Sequence, residues 1–217
     1  MGDDAALVFA GGDQPPSAVT KRLPAAALVI AADSGLDHAA ALGWAVDLVV
    51  GDLDSVDLEL LANARAGGTT VEAHPQEKDQ TDLELALDAA VGRGARDITV
   101  VGGHGGRLDH FLANLTVLAS PRFAAARLDA WVGTAHVVVV RDDATLEGRP
   151  GSLLSLLPLG GRAVGIRTDG LRYPLTDEDL DPGTTRGVSN EFVEPSARIH
   201  VRTGTLVAIQ PNALEES

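Results

Sequence analysis

Residues 46–55 read VDLVVGDLDS, an apolar run that ends in two aspartates, and this stretch decides the fold class. The run Val46 to Val50 is short and rich in β-branched residues, which predicts a strand that is covered on both faces. The stretch Leu58 to Ala66 that follows has the length of a helix. A strand followed by a helix is the repeating unit of a parallel sheet, and the alternation recurs through the first two thirds of the chain.

The sequence therefore predicts an α/β protein: a parallel-sheet N-terminal domain with helices on both faces, followed by a small antiparallel β-sandwich domain. The predicted strands of the first domain are Ala6 to Ala10, Leu28 to Ala32, Val46 to Val50, Thr70 to Ala73, Ile98 to Val101, Ala126 to Val132 and His136 to Arg141. The predicted helices are Ser34 to Leu42, Leu58 to Ala66, Asp82 to Val91 and Leu108 to Ala119.

After Asp142 the chain changes to short alternating runs that Gly and Pro divide, and no helix is predicted. Such runs are typical of antiparallel strands in a small sandwich or barrel. The predicted strands are Ser152 to Leu157, Ala163 to Arg167, Ala197 to Arg202 and Thr205 to Ile209. We expect one domain at residues 1–143 and a second at residues 144–217.

Composition narrows the class of function. The chain has 17 Lys and Arg against 31 Asp and Glu, a net charge of -14, which argues against a nucleic-acid binder that relies on counterion release. The absence of cysteine excludes disulfides, thiolate metal sites and thiol nucleophiles. No apolar run approaches the roughly 18 residues of a membrane span, and the first residues are acidic, so we expect a cytoplasmic protein.

Five aspartates follow the predicted strands of the first domain. Loops that leave the carboxyl ends of parallel strands open on one edge of the sheet, where ligands bind. So much negative charge at one edge requires a cation, and oxygen ligands favour Mg²⁺, which usually keeps positions for substrate phosphates. The five residues are Asp33, Asp52, Asp54, Asp79 and Asp82.

A glycine-rich loop precedes Arg107 and the helix that starts at Leu108. Free backbone N–H groups and a helix N-terminus attract anions, so this loop and Arg107 are predicted to hold phosphate. The loop matches neither the dinucleotide fingerprint nor a Walker A motif. Its glycines are Gly102, Gly103, Gly105 and Gly106, and Asp109 and His110 lie in the first turn of the helix.

Each acidic pattern also has a purely structural interpretation. Thr81 to Glu84 matches a capping box around Asp82, and Asp33 could open only a turn and a helix. Asp52 and Asp54 could lie in a surface turn, although an extended chain would put both on one side, with the residue between them opposite. Asp79 could face the same way as Asp82 if the first helical turn reaches back to it.

Five segments taken in order resemble the thiamine pyrophosphokinase family, and the resemblance covers almost the whole chain. The segments are residues 32–35 (ADSG), 51–55 (GDLDS), 78–84 (KDQTDLE), 106–110 (GRLDH) with Ala113 and Asn114, and 187–191 (GVSNE). The resemblance implies an α/β domain with a β-sandwich domain, a homodimer, and Mg²⁺-dependent transfer of the pyrophosphoryl group of ATP to thiamine. The products would be thiamine diphosphate and AMP.

The resemblance also implies roles for single residues. Asp52, Asp54, Asp79 and Asp82 match positions that handle Mg²⁺ and the reacting phosphates, and Asp33 matches an aspartate near the substrates. The loop from Gly102 to Gly106, with Arg107, Asp109 and His110, matches the nucleotide side, and Ser189 and Asn190 match the thiamine pocket. The chain departs from the family at Ser34, where a second glycine is common, and around Leu153 to Leu156, where some members carry an aromatic residue that stacks on thiamine.

Pyrophosphoryl transfer requires in-line positioning and charge neutralisation, which Mg²⁺, Arg107 and Lys78 could supply. Asp82 or Asp54 is expected to accept the proton of the thiamine hydroxyl. One alternative is a phosphatase that uses Asp52 as nucleophile and Asp54 as acid and base. Others are a pyrophosphokinase for another alcohol, such as a pterin, and a binding module without catalysis.

Overall fold

A computed structural model describes residues 4–215 of the chain. Its strands are β1 (Ala5–Ala10), β2 (Leu28–Ala32), β3 (Leu48–Gly51), β4 (Thr70–Ala73), β5 (Asp97–Val101), β6 (Arg127–Val132), β7 (Ala135–Val140), β8 (Asp143–Glu147), β9 (Leu153–Pro158), β10 (Ala163–Asp169), β11 (Thr176–Leu180), β12 (Asn190–Glu191), β13 (Ser196–His200) and β14 (Leu206–Gln210). Its helices are α1 (Gly35–Ala41), α2 (Leu58–Ala66), α3 (Asp82–Gly92) and α4 (Leu108–Leu118). Within the described residues, no helix has both the length and the apolarity that crossing a bilayer would require.

The described chain forms two compact units. The first comprises the residues up to Val117 together with Ala125–Gly133, and the second comprises Leu118–Ala124 together with the residues from Thr134 onward. The strands of the first unit lie in the order β6-β5-β1-β2-β3-β4, and every neighbouring pair is parallel. The predicted parallel sheet is therefore confirmed.

The centre of this sheet is β1, whose residues Leu7, Val8 and Phe9 are completely buried. Val8 lies between Ile30 on β2 and Val100 on β5. A strand that is buried on both faces reads as a continuous apolar run, which is why the sequence identified it. The strand predicted from Val46 starts at Leu48 in the structure; Asp47, just before it, accepts the Val29 N–H with its carboxylate at 2.8 Å and donates its own N–H to Val29 O at 2.9 Å.

The direction of the crossovers places helices on both faces. The chain moves outward from β1 through β2, β3 and β4, returns to β5 on the other side of β1, and continues to β6. Right-handed crossovers therefore put α1 and α2 on one face and α3 and α4 on the other. The strand order reverses between β1 and β5, and in open α/β sheets ligands bind outside the carboxyl ends of the strands at such a point.

The second unit is antiparallel. One group of its strands lies in the order β12-β9-β14-β7 and the other in the order β11-β10-β13-β8. Apolar side chains of both groups share one core, which includes Leu154, Leu156, Ile166 and Ile199. The predicted antiparallel sandwich is therefore confirmed, and no α-helix follows α4 in the part of the chain described here.

Three strands of the second unit were absent from the sequence prediction: β8, β11 and the two-residue β12. β8 and β11 are the outer strands of their four-stranded sheet, and each carries acidic residues at several positions. Charged side chains on edge strands oppose pairing with other chains, but they also remove the apolar alternation by which strands are recognised. Their assignment therefore required the tertiary structure.

Candidate active site

A cavity of about 640 Å³ lies within the first unit, at the carboxyl ends of its strands. Its wall contains residues from the loops after β1, β2, β3, β4 and β5, so it spans the point where the strand order reverses. This volume falls in the range of sites for small organic ligands. The loops that the sequence singled out after successive strands therefore converge on one cavity.

An acidic cluster, formed by Asp33, Asp52 and Asp82, lies in this cavity. One carboxylate oxygen of each residue lies within 4.8 Å of the corresponding oxygens of the other two. The last residue of β3, Gly51, permits this approach: a Cβ added there would lie 3.2 Å from Asp82 Oδ1 and 3.1 Å from Asp33 Cβ. The residue types suit a hard cation, since every donor is a carboxylate oxygen.

The carboxyl group of Asp33 is affected both by its burial and by its acidic neighbours. Its pKa is raised, first because burial removes water from the carboxylate and then because Asp82, Asp52 and Asp54 add negative charge; a hydrogen bond from the Ser34 amide only partly opposes this. Oδ1 is buried and has no hydrogen-bond partner among the described residues. A buried carboxylate oxygen without a donor is one that a bound cation would satisfy.

Asp54 lies beside the acidic cluster rather than within it. Its amide donates to Asp52 Oδ1 at 3.2 Å, and its carboxylate accepts from Ser55 Oγ at 2.8 Å and from Gln76 Nε2 at 2.6 Å. These two hydrogen bonds lower the pKa of Asp54. The chain is not extended between Asp52 and Asp54, because Leu53 has a φ of 65°. The left-handed conformation of Leu53, and not the alternation of side chains along an extended strand, brings both aspartates to the cavity.

The capping box and the acidic cluster occur together around Asp82. Thr81 Oγ1 accepts from the Glu84 N–H at 3.2 Å, so Thr81 caps α3, and Asp82 is the first residue of the helix. The helix does not reach back to Asp79, whose side chain is exposed and does not belong to the wall of the described cavity. The structure therefore brings Asp33 together with Asp52 and Asp82, and it leaves Asp79 apart.

Lys78 places a positive charge against the acidic cluster. Its Nζ lies 2.8 Å from Asp82 Oδ1 and 3.5 Å from Asp52 Oδ2. Desolvation alone would lower the pKa of Lys78, but the hydrogen bond and charge of Asp82 and the charge of Asp52 outweigh it, so the pKa is raised. Lys78 is therefore cationic at neutral pH.

The glycine-rich loop forms the opposite wall of the cavity, and it is joined to the loop after β1. The Asp13 N–H donates to His104 O at 2.7 Å, and the Gly103 N–H donates to Gly11 O at 2.9 Å. Gly12 has a φ of 112°, and a Cβ added there would lie only 1.9 Å from His104 O. The two loops can therefore pair this closely only because Gly12 has no side chain.

The nucleotide-side residues predicted from sequence divide into three groups. Gly103, Gly105, Gly106, Arg107 and His110 belong to the wall of the cavity, whereas Gly102 and Asp109 do not. Gly102 is buried behind the wall and donates its N–H to Trp131 O at 2.9 Å. Asp109 is exposed and binds Arg107.

The pair of Arg107 and Asp109 has two contacts: Nε lies 3.2 Å from Oδ1, and Nη2 lies 2.5 Å from Oδ2. This hydrogen bonding holds the pKa of Asp109 down, to about 2. The Arg107 side chain is 67% exposed, so its guanidinium is oriented by Asp109 while it stays accessible to a ligand. Asp109 therefore positions the arginine and does not itself line the cavity.

Several residues of the wall were not predicted. Gly11 and Gly12 follow the apolar run of β1 directly, so the rule that identified the other loops could have identified them. Asn114 is positioned by the turn of α4, and its Nδ2 donates to Gly103 O at 2.9 Å, which anchors the glycine-rich loop. This role depends on the carbonyl group of Gly103, which lies in a different loop, and the spacing of residues in the sequence does not indicate such a contact.

Ser189 and Asn190, predicted for thiamine, belong to the second unit. Asn190 is 4% exposed; its Oδ1 accepts the Tyr173 N–H at 3.0 Å, and its Nδ2 donates to Tyr173 O at 2.8 Å. Ser189 is exposed, with a φ of 57°, and its N–H donates to Ser155 Oγ at 3.0 Å. The Asn190 amide is thus engaged with backbone, whereas Ser189 is accessible to a ligand.

Comparisons with known proteins cover most of the chain. The model of the thiamin pyrophosphokinase catalytic domain matches residues 19–130, and that of the thiamin pyrophosphokinase vitamin B1 binding domain matches residues 136–206. The thiamine pyrophosphokinase of Bacillus subtilis (strain 168) is 26% identical over 162 residues, which cover 74% of this chain and 76% of the relative.

Solved structures are similar over nearly the full length. A crystal structure of thiamine pyrophosphokinase from Bacillus subtilis has a TM-score of 0.82 at 25% identity, with 95% of this chain and 98% of that chain covered. A thiamin pyrophosphokinase family protein from Enterococcus faecalis has a TM-score of 0.76 at 28% identity, with 95% and 97% covered.

Proposed function

Since this chain belongs to the thiamine pyrophosphokinase family, a family of diphosphate-transferring enzymes, we propose that it transfers the pyrophosphoryl group of ATP to thiamine. The products are thiamine diphosphate and AMP. The observation that carries the proposal is the acidic cluster of Asp33, Asp52 and Asp82 in a cavity that the glycine-rich loop closes on its other side. Carboxylates on one wall and backbone N–H groups with an arginine on the other suit a metal-bound polyphosphate.

The acidic cluster fits Mg²⁺, since its donors are all oxygens and Asp33 Oδ1 is buried without a partner among the described residues. Asp33, Asp52 and Asp82 would hold the ion. Bound there, Mg²⁺ would offset the charge that develops on the phosphate oxygens. Asp54 supports Asp52 through its amide, and Asp79, which is exposed and outside the cavity wall, is not assigned to the ion.

The chain's own groups supply positioning and proton transfer. Arg107, which Asp109 orients, and the amides of residues 104–106 hold the polyphosphate. The hydroxyl oxygen of thiamine attacks the β-phosphorus, the bond from that phosphorus to the α-phosphate oxygen breaks, and AMP leaves. The hydroxyl proton passes to a carboxylate of the cavity wall. Both carboxylate oxygens of Asp54 already accept hydrogen bonds, from Ser55 Oγ and Gln76 Nε2, so we assign this role to Asp82.

The expected division of roles follows the two parts of the chain. We propose that residues 1–143 bind ATP and Mg²⁺ and that residues 144–217 bind thiamine. Of Ser189 and Asn190, Ser189 is the residue accessible to thiamine.

We also propose a cytoplasmic homodimer, and we expect Tyr173 to contribute to the subunit contact. Tyr173 is half-exposed, and the Arg172 guanidinium lies 5.8 Å from the centre of its ring. Light scattering with Tyr173→Ala tests the dimer, and a monomeric wild-type protein would contradict it.

The test of the activity is to incubate the purified protein with ATP, Mg²⁺ and thiamine and to separate the nucleotides. AMP is expected only when thiamine is present. ADP would indicate transfer of a single phosphoryl group, and AMP with a pterin alcohol but not with thiamine would change the acceptor. Phosphate release without any acceptor, with a trapped acyl-phosphate on Asp52, would replace the proposal by the phosphatase alternative.

A further inference from the structure

The ammonium group of Lys78 contacts two of the three carboxylates of the acidic cluster. It contacts Asp82 Oδ1 at 2.8 Å and Asp52 Oδ2 at 3.5 Å, and the side chains of Lys78 and Asp52 are only 13% and 14% exposed. This is not an ordinary pair on a helix surface, because Lys78 precedes the capping residue of α3. The contact joins a loop to the first residue of the helix, inside the cavity wall.

An ammonium group and a divalent cation cannot both use these oxygens without repulsion. A magnesium ion binds carboxylate oxygens at about 2.1 Å, so an ion on Asp82 Oδ1 would lie within about 5 Å of Nζ if Lys78 stayed in place. Two cations at such a separation in a partly buried site repel each other strongly. The lysine side chain is flexible and carries a mobile point charge, so it can leave the acidic cluster without a change in the fold.

We propose that Lys78 is a resident counter-ion of the acidic cluster: its ammonium group neutralises Asp52 and Asp82 in the ligand-free protein, and it moves to phosphate oxygens when metal and polyphosphate bind. The second half of this statement rests on the proposed function, whereas the competition between ammonium and metal rests on the acidic cluster alone. Lys78 is then a positioning residue that controls when the metal can bind.

This arrangement couples the two ligands. Without nucleotide, a divalent metal must displace the ammonium group from its partners, so its binding is weak. A polyphosphate offers Lys78 a new partner and so removes part of this cost. Metal and nucleotide therefore strengthen each other's binding, and by linkage the factor is the same in both directions.

The test is a titration of Mn²⁺ into the nucleotide-free protein, followed by calorimetry or by the electron paramagnetic resonance of the free ion. We expect Lys78→Met to bind Mn²⁺ about tenfold or more tightly than wild type, the scale expected for removing one nearby unit charge at a partly exposed site. Lys78→Arg keeps the charge and should stay as weak as wild type. Lys21→Met removes the chain's other lysine, at the exposed end of a short 3-10 helix, and should not differ from wild type by more than about twofold.

The coupling is measured by repeating the titration with the ATP analogue α,β-methylene-ATP, in which the bond to be cleaved is blocked. The analogue should tighten Mn²⁺ binding in wild type by a factor that falls about tenfold or more in Lys78→Met. Lys78→Gln is a second neutral variant, interpreted in the same way if Lys78→Met does not unfold cooperatively in urea. Mn²⁺ binding that is unchanged or weaker in the neutral variants overturns the proposal, as does equal tightening in Lys21→Met or Lys78→Arg.

These titrations use no thiamine, so they separate the two proposals. A wild-type protein that makes no thiamine-dependent AMP removes the proposed function, yet tighter Mn²⁺ binding in Lys78→Met would still establish the counter-ion. A protein that makes AMP while Lys78→Met leaves Mn²⁺ affinity unchanged keeps the activity and refutes the counter-ion.

Discussion

Replacing Asp82 with Asn removes one charge from the acidic cluster and weakens the contact that Lys78 Nζ makes with Asp82 Oδ1 at 2.8 Å. The amide has the shape of the carboxylate, and Thr81 still caps α3 through the Glu84 N–H at 3.2 Å. Losing an acidic residue in a first helical turn costs about 0.3–1 kcal/mol. Relief of repulsion in the acidic cluster acts in the opposite direction, so the free energy of unfolding should change by no more than about 1 kcal/mol.

Turnover should fall much further. Asp82 has an oxygen within 4.8 Å of those of Asp33 and Asp52, and it is also the proposed proton acceptor. General-base and metal contributions are each on the order of a hundredfold, so Asp82→Asn should lower kcat/KM by at least about a hundredfold. This loss corresponds to about 2.7 kcal/mol of transition-state stabilisation. The assay is thiamine-dependent formation of AMP at saturating Mg²⁺.

Asp79→Asn is the matched control, because it makes the same chemical change three residues away, in the loop that precedes α3. Its side chain is exposed and lies outside the cavity wall, so we expect its kcat/KM to stay within about threefold of wild type. Equal losses in both variants would mean that the loop rearranges and that the cluster described here is not the working site. Near-normal turnover in Asp82→Asn would refute the assignment of Asp82.

Three further predictions concern the architecture of the site and of the second unit. Gly12→Ala should lower the free energy of unfolding by about 2 kcal/mol more than Gly43→Ala, as measured in urea titrations. A Cβ at Gly12 would lie 1.9 Å from His104 O, whereas a Cβ at Gly43 would have no atom within 4 Å. Equal losses in the two variants would contradict the close pairing of the loops. Asp33→Asn should stabilise the metal-free protein at neutral pH by about 0.5–2 kcal/mol in urea titrations, and it should weaken Mn²⁺ binding because it removes one of the three carboxylates of the acidic cluster. Burial raises the pKa of Asp33, so the charged carboxylate destabilises the folded protein at pH values above this pKa. The stabilisation by Asp33→Asn should therefore shrink as the pH falls through the pKa of Asp33. A stabilisation that does not change with pH would contradict this cause. Asn190→Ala should lower the free energy of unfolding by about 1–3 kcal/mol, since its amide bridges a backbone N–H and C=O, and an unchanged value would show that these groups find other partners.

Much of the fold could be predicted because its signals are local. The strands β1, β2 and β5 are apolar runs, and helix α2 was predicted with the bounds that the structure has, since a run of helix-forming residues follows Asp57. Asp57 also caps α2, with its Oδ1 accepting from the Glu59 N–H at 2.8 Å. The charged edge strands β8 and β11 were missed, because their pairing is decided by neighbours far away in the chain.

The sequence by itself determined that acidic loops follow successive parallel strands, and elementary sheet geometry then required these loops to share one edge. Which acids meet at that edge was decided only by the tertiary structure. Asp33 joins the acidic cluster and Asp79 does not, because α3 starts at Asp82, Leu53 turns the chain through a left-handed conformation, and Gly51 leaves room for two side chains. Hydrophobic periodicity acts between near neighbours along the chain, whereas an electrostatic site depends on distances of a few ångströms between loops that only the packed sheet brings together.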